Sequence, residues 1–121
     1  MRSFILCFLP LLGCADTDMA ALPTEVVPEQ VVSGSIIEAE KHFDRGVALA
    51  LQGQDTEAID AYKQARQLAP QYVKVHYNLA NAYARQLNYP EAIESYERVL
   101  NIDSMHVSAR HNLAAMYVRQ L

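Results

Sequence analysis

The side chains best suited to chemistry recur at one interval. His42 and His76 are separated by the same distance along the chain as Asn78 and Asn112, while His106 and His111 stand near the last segment. A row of imidazoles could ligate a transition metal or move protons. No carboxylate or cysteine recurs with these at ligand spacing, so no metal site is expected and the histidines are read as partly buried or solvent-facing. Serine, aspartate and histidine are all present, yet nothing presents a strained nucleophile or a phosphate-binding loop. The chain is therefore read as non-catalytic and without a cofactor. The asparagines suit a different task. A side-chain amide offers both donor and acceptor, so two of them at a fixed interval could hold a peptide backbone with little regard for its sequence; the alternative is that each caps its own helix.

The strongest nucleophiles are two thiols, Cys7 and Cys14, and their setting is N-terminal. "MRSFILCFLPLLGC" has a cation at Arg2 followed by an apolar run from Phe4 to Leu12, broken by Pro10. Spanning a bilayer takes about 20 apolar residues, so a secretory signal fits better than a membrane helix. The segment Leu11-Leu12-Gly13-Cys14 resembles the lipobox of bacterial lipoproteins. The resemblance implies cleavage after Gly13, a diacylglyceryl and a palmitoyl group on Cys14, and a lipid-anchored protein of the bacterial cell envelope facing the periplasm, at the outer membrane in preference to the inner. Two or more acyl chains anchor stably where one does not. Cys7 leaves with the signal, so no disulfide is expected.

Loss of residues 1–13 removes Arg2 and leaves nine Lys plus Arg against fourteen Asp plus Glu, a net charge of −5. Such a chain has no basic patch for nucleic acid or anionic lipid headgroups. Much of the acidic excess lies in "ADTDMAALPTEVVPEQVVSGSII", which contains Pro23, Pro28 and Gly34 and no Lys or Arg. Residues 14–37 are therefore expected to form an extended tether, reaching at most about 80 Å and about 25 to 30 Å on average as a coil.

From Glu38 onward, apolar residues recur at helical spacing: Phe43, Val47 and Leu51; Ala58, Ile59, Tyr62 and Ala65; Leu79, Ala80 and Tyr83; Ala92, Ile93, Tyr96, Val99 and Leu100. Breaks at Gly53-Gln54-Asp55, Pro70, Leu87-Asn88-Tyr89-Pro90 and Asp103-Ser104 divide residues 38–121 into five helices. Asp55 is a candidate N-cap, Pro90 suits a first helical turn, and Gly53 and Asn88 are the types that tolerate a left-handed turn.

The phrases "HYNLANAYARQL" (76–87) and "RHNLAAMYVRQL" (110–121) are identical at seven of twelve positions. The same step relates Ala58 to Ala92, Ile59 to Ile93, Tyr62 to Tyr96 and Gly46 to Ala80. Two helices per period, with small and aromatic residues at fixed offsets, resemble the tetratricopeptide repeat (TPR), whose unit is about 34 residues long. The resemblance covers residues 39–121 as units 39–72, 73–106 and a partial 107–121. It departs from the pattern at His42, His76 and Arg110 in the first aromatic slot, at Arg45 in a leucine slot and at Ser104 in the closing proline slot. It implies an all-α, right-handed α-solenoid of antiparallel helix hairpins, five helices and about two and a half units. Each hairpin would be stabilised mainly by its neighbour, because none can bury its apolar face alone.

In the family, first helices of successive hairpins line a concave groove that receives a protein or peptide partner. Carried onto this chain, the groove positions are Phe43, Asp44, Val47 and Ala50; Lys74, Tyr77, Asn78 and Asn81; and Ser108, His111, Asn112 and Ala115. The chaperone-binding subclass holds an acidic tail with lysines, an arginine and asparagines. Only Asn78 agrees with that clamp, and Phe43, Val47, Ser108 and Asn112 depart from it. The groove is more apolar at its first end, which favours aliphatic or aromatic ligand side chains. Leu113, Ala114, Tyr117 and Leu121 stand where a further helix would pack, and Met116, Val118 and Leu121 are expected to leave apolar surface for a second copy or another partner. The function expected is a non-catalytic, membrane-tethered scaffold; the alternative is an envelope assembly factor of the pilus or secretin pilotin type.

Overall fold

The computed structural model describes residues 29–121, with side chains from Ser33 onward. The expected lipobox with Cys14, and the expected tether as far as residue 28, lie outside them. Five α-helices follow in order: α1 Glu29–Leu51, α2 Asp55–Leu68, α3 Val73–Arg85, α4 Tyr89–Ile102 and α5 Val107–Gln120. Residues 33–121 form one compact unit. Among the described residues no helix is long and apolar enough to cross a membrane.

Helix α1 begins at Glu29, ahead of the start expected at Glu38, so 29–37 is helical where an extended tether was expected. The residues from Ser33 to Glu38 are exposed or half-buried, and Ala39 is the first buried side chain. Val32, Ile36, Ala39 and Phe43 stand at helical spacing, so the pattern of α1 extends upstream of Glu38.

The two connections within hairpins share one geometry. In the first, the amide of Gln54 donates to the carbonyl of Leu49 at 2.9 Å, and Gly53 lies in the left-handed region with φ 79°. In the second, one period on, Asn88 donates to Tyr83 at 2.9 Å and Leu87 is left-handed with φ 63°. The left-handed residue is thus Leu87 and not Asn88, which instead precedes α4 at φ −93°. Pro90 lies in the first turn of α4 as expected. Gln54, not Asp55, occupies the N-cap of α2. The Asp55 carboxylate is drawn away to Arg85, whose guanidinium donates at 2.6, 2.9 and 3.1 Å and ties the end of α3 to the start of α2.

Two apolar clusters alternate along the array. The first gathers Ala58, Ile59, Tyr62 and Ala65 of α2 with Val75, Leu79 and Ala82 of α3, flanked by Phe43 and Val47 of α1. The second gathers Ala80 of α3, Ala92, Ile93, Tyr96 and Val99 of α4, and Ala109 and Met116 of α5. Tyr83 packs against both clusters and is only half-buried. Met116 is 5 % exposed and belongs to the packed side of α5, not to the open apolar surface expected of it, whereas Val118, Tyr117 and Leu121 are exposed. Close approach depends on small residues: a Cβ on Gly46 would lie 2.5 Å from Cε1 of the buried Tyr62.

Candidate functional site

The aromatic side chains at the expected groove positions are built twice. Phe43 meets Tyr62 at a ring-centroid distance of 5.9 Å and Tyr72 at 5.7 Å. One period later, Tyr77 meets Tyr96 at 5.9 Å and His106 at 4.9 Å. Phe43 and Tyr77 are each therefore backed by a buried tyrosine from the second helix of their own hairpin and flanked by a ring from the connection that follows. Such tilted pairs add about 0.5 to 1.5 kcal/mol beyond their buried area and hold the rings in fixed orientation. His106 also anchors the next helix, since its Nδ1 accepts from the amide of Ala109 at 3.1 Å.

A polar network runs behind Tyr77. The Tyr96 hydroxyl donates to Oδ1 of Asn81. Nδ2 of Asn112 lies 3.3 Å from the hydroxyls of Tyr77 and Tyr96 and 3.4 Å from Oδ1 of Asn81. Burial pushes the Tyr96 phenol above its ordinary value, against the opposing hydrogen bond from Asn112, so it remains a donor. Among the described residues, Nδ2 of Asn81 and Oδ1 of Asn112 make no hydrogen bond. These two atoms and the Tyr77 hydroxyl hydrogen place donors and an acceptor close together at the expected groove positions.

The other expected groove residues are placed as follows. Val47 is half-buried against the first cluster. Lys74 and His111 are exposed. Asn78 turns its amide onto its own helix, donating to the carbonyl of Lys74 at 2.9 Å. Asn78 and Asn112, equivalent in sequence, therefore do not form two rungs of one ladder; Tyr77, Asn81 and Asn112 are brought together instead. The sequence reading did not assign Tyr72, Tyr96 and His106 to the site. The signal existed, for Tyr72 and His106 are rings separated by the repeat period itself.

His76 is 2 % exposed and lies 2.7 Å through Nε2 from the carbonyl of Pro70. A carbonyl only accepts, so Nε2 carries the proton. Burial, with smaller contributions from Arg98 and Arg66, holds the imidazole below its ordinary pKa, opposed by the bond to Pro70. His42 is half-buried and far from this arrangement in sequence, and among the described residues no group of three or more His, Cys, Asp or Glu side chains converges as a metal would need.

Stacked helix hairpins with an aromatic and amide-lined inner face define an α-solenoid. Residues 39–106 carry the tetratricopeptide pattern: one family model, described as TPR repeat, matches residues 39–86, and a second, described as Tetratricopeptide repeat, matches residues 73–106. No curated protein matches the sequence significantly. Among solved structures, the crystal structure of MamA is 27% identical, with a TM-score of 0.68 over 74% of this chain and 52% of that one. A second MamA structure is 28% identical, with 47% of its length covered, so the chain spans about half of these relatives. The second TPR of Spaghetti (RPAP3), bound to the HSP90 peptide SRMEEVD, has a TM-score of 0.72 at 19% identity over 75% of this chain and 83% of that one. The Arabidopsis OM64 TPR domain gives 0.70 at 20% identity, covering 72% of each chain. The last two likenesses are of fold.

Proposed function

We propose that this protein is a non-catalytic scaffold that holds an extended or helical segment of another protein against Phe43, Tyr77, Asn81 and Asn112, and that it is tethered to a membrane of the bacterial envelope through lipid on Cys14. The observation that carries the groove reading is the twice-built aromatic pair, Phe43 on Tyr62 and Tyr77 on Tyr96, beside amide atoms left without partners. The similarity in fold to the second TPR of Spaghetti (RPAP3), which is bound to the HSP90 peptide SRMEEVD, supports a peptide as the kind of ligand. The chemistry expected here differs from an acidic tail. Phe43 and Val47 offer apolar surface, and Lys74 alone of the expected groove residues is a full cation, so the segment should carry aliphatic or aromatic side chains.

Photo-crosslinking from position 77 or 81 in cells, followed by identification of the captured protein, tests the groove. A partner captured from both positions and lost with Asn112→Ala supports it; equal capture from the exposed Glu57 on α2 removes it. The tether is tested separately by Cys14→Ala, which should release the protein from membranes, and equal retention of the variant would refute the anchor.

The bare face of α5 supports a second contact, with another copy of the chain. This helix carries Arg110 and Arg119 and no acidic residue, whereas α1 exposes Glu38, Glu40 and Asp44 beside Lys41 and Arg45, with Ile36 and Ile37 also exposed. Sedimentation should show concentration-dependent mass that falls on Tyr117→Lys; a monomer before and after ends that contact.

A further inference from the structure

A second polar site lies between α2, α3 and α4, away from the aromatic pairs. It is a small, partly open cleft lined by Arg66, His76, Glu94, Ser95 and Arg98. We propose that this cleft binds a small tetrahedral oxyanion, inorganic phosphate by its charge, between the guanidinium groups of Arg66 and Arg98.

Three observations converge on it. First, the ion pairs among the described residues join Lys41 to Glu38 and Arg85 to Asp55, and neither Arg66 nor Arg98 is paired with a carboxylate. Two guanidinium groups facing one cleft outnumber its single carboxylate, Glu94, and can receive a phosphoryl group, because each offers a planar fork of donors. Second, Ser95 is 6 % exposed, and its hydroxyl has no hydrogen-bond partner among the described residues. A buried polar group of that kind calls for an unseen partner. Third, packing does not demand these side chains. The position one period before Ser95 is Ala61, fully buried, and that before Arg98 is Gln64. The first unit therefore fills the same slots with an alanine and a neutral amide, and the hydroxyl and the cation are additions to the repeat.

His76 forms the inner wall and is fixed by its bond to Pro70. The positive charge of Arg66 and Arg98 already bears on this ring. Glu94, on the rim, opposes an anion and sets the sign of one test.

The experiment is a titration of the full-length chain in detergent with inorganic phosphate, followed by the ring resonances of His76, with chloride at equal ionic strength as reference. A saturable shift with phosphate and only gradual drift with chloride is expected. Arg66→Gln and Arg98→Gln should each weaken the response about tenfold, the size of one charge-assisted hydrogen bond. Glu94→Gln, at an exposed position, should tighten it about threefold, which no loss of folding could imitate. O-phosphoserine in a parallel titration separates the sources: binding equal to that of phosphate assigns the site to phosphoryl groups on larger molecules, and weaker binding assigns it to the free ion. A phosphate response no different from chloride, or one that survives in both arginine variants, overturns the proposal.

Discussion

Leu87 holds in the second hairpin the left-handed position that Gly53 holds in the first, with φ of 63° against 79°. The two stand one period apart, and each is followed by an amide that closes onto a carbonyl of the preceding helix, Asn88 to Tyr83 and Gln54 to Leu49. For a residue with a Cβ this conformation costs about 1 to 2 kcal/mol. Leu87 is 68 % exposed, so its side chain recovers little of that through packing.

Exchanging the residue types at these positions should therefore move stability in opposite directions. Nothing lies within 4 Å of a Cβ placed on Gly53, so Gly53→Ala tests backbone strain alone and should destabilise by about 1 kcal/mol. Leu87→Gly should stabilise by about 0.5 kcal/mol, since the strain relieved is partly offset by the greater freedom of glycine in the unfolded chain. Urea unfolding of both variants decides it. Equal loss in the two would mean that Leu87 is held by packing after all.

Gly46 tests the other use of a small residue, close approach. A Cβ there would meet Cε1 and Cδ1 of Tyr62 at 2.5 and 2.6 Å, and Tyr62 is 1 % exposed with Phe43 against its ring. Alanine is the better helix former by about 1 kcal/mol, so the clash and the propensity oppose one another. Overpacking of a closed core costs about 1 to 3 kcal/mol, and net destabilisation is expected for Gly46→Ala. Adding Tyr62→Leu should make the alanine nearly neutral, read from the difference between thermal midpoints with and without the second change.

These positions show what a single sequence reveals and where it stops. The helices, the period and the buried pairs Ala58 with Ala92 and Tyr62 with Tyr96 were legible, because every hairpin must solve the same packing problem with the same few side-chain volumes. Hydrogen-bond destinations were not. Asn78 and Asn112 occupy one slot, but Asn112 finds oxygens on Tyr77, Asn81 and Tyr96, whereas the residues one period earlier than these are Phe43, Val47 and Tyr62. Two of the three lack a polar side-chain atom, and Asn78 bonds to its own helix. A slot is repeated only as far as its neighbours are. The same limit hid the bond from Arg85 to Asp55, since position 89, which follows Asp55 by one period, is a tyrosine.

The network behind the groove can be tested by removing one oxygen. Tyr96 is 2 % exposed and its hydroxyl both donates to Asn81 and faces Nδ2 of Asn112. Tyr96→Phe keeps the ring against Tyr77 and leaves the Asn81 carbonyl with only the long contact from Asn112. A loss of about 1 to 2 kcal/mol in urea unfolding is expected, the range for a buried acceptor deprived of its donor. Adding Asn81→Leu to the Tyr96→Phe variant should then restore part of it, and a stability unchanged by Tyr96→Phe would show that the hydroxyl contributes nothing.

His76 gives the fold a dependence on pH whose sign follows from its burial. The imidazole titrates near 6.5 in an unfolded chain and is held lower in the folded one, first by desolvation and then by Arg98 and Arg66, against the opposing bond to Pro70. Between the folded value and 6.5 the unfolded chain binds more protons, so protonation draws the equilibrium toward unfolding. The contribution is therefore fully present above about pH 7, falls as pH drops through 6.5, and levels off below the folded value. Glutamine at this position can still donate to the Pro70 carbonyl but cannot titrate. Urea midpoints measured from about pH 8 down to about pH 5 should decline more steeply for the wild type than for His76→Gln. Parallel curves would show that the ring gains its proton without leaving its place, which requires an acceptor for Nδ1 or a counter-charge in the cleft of Arg66 and Arg98.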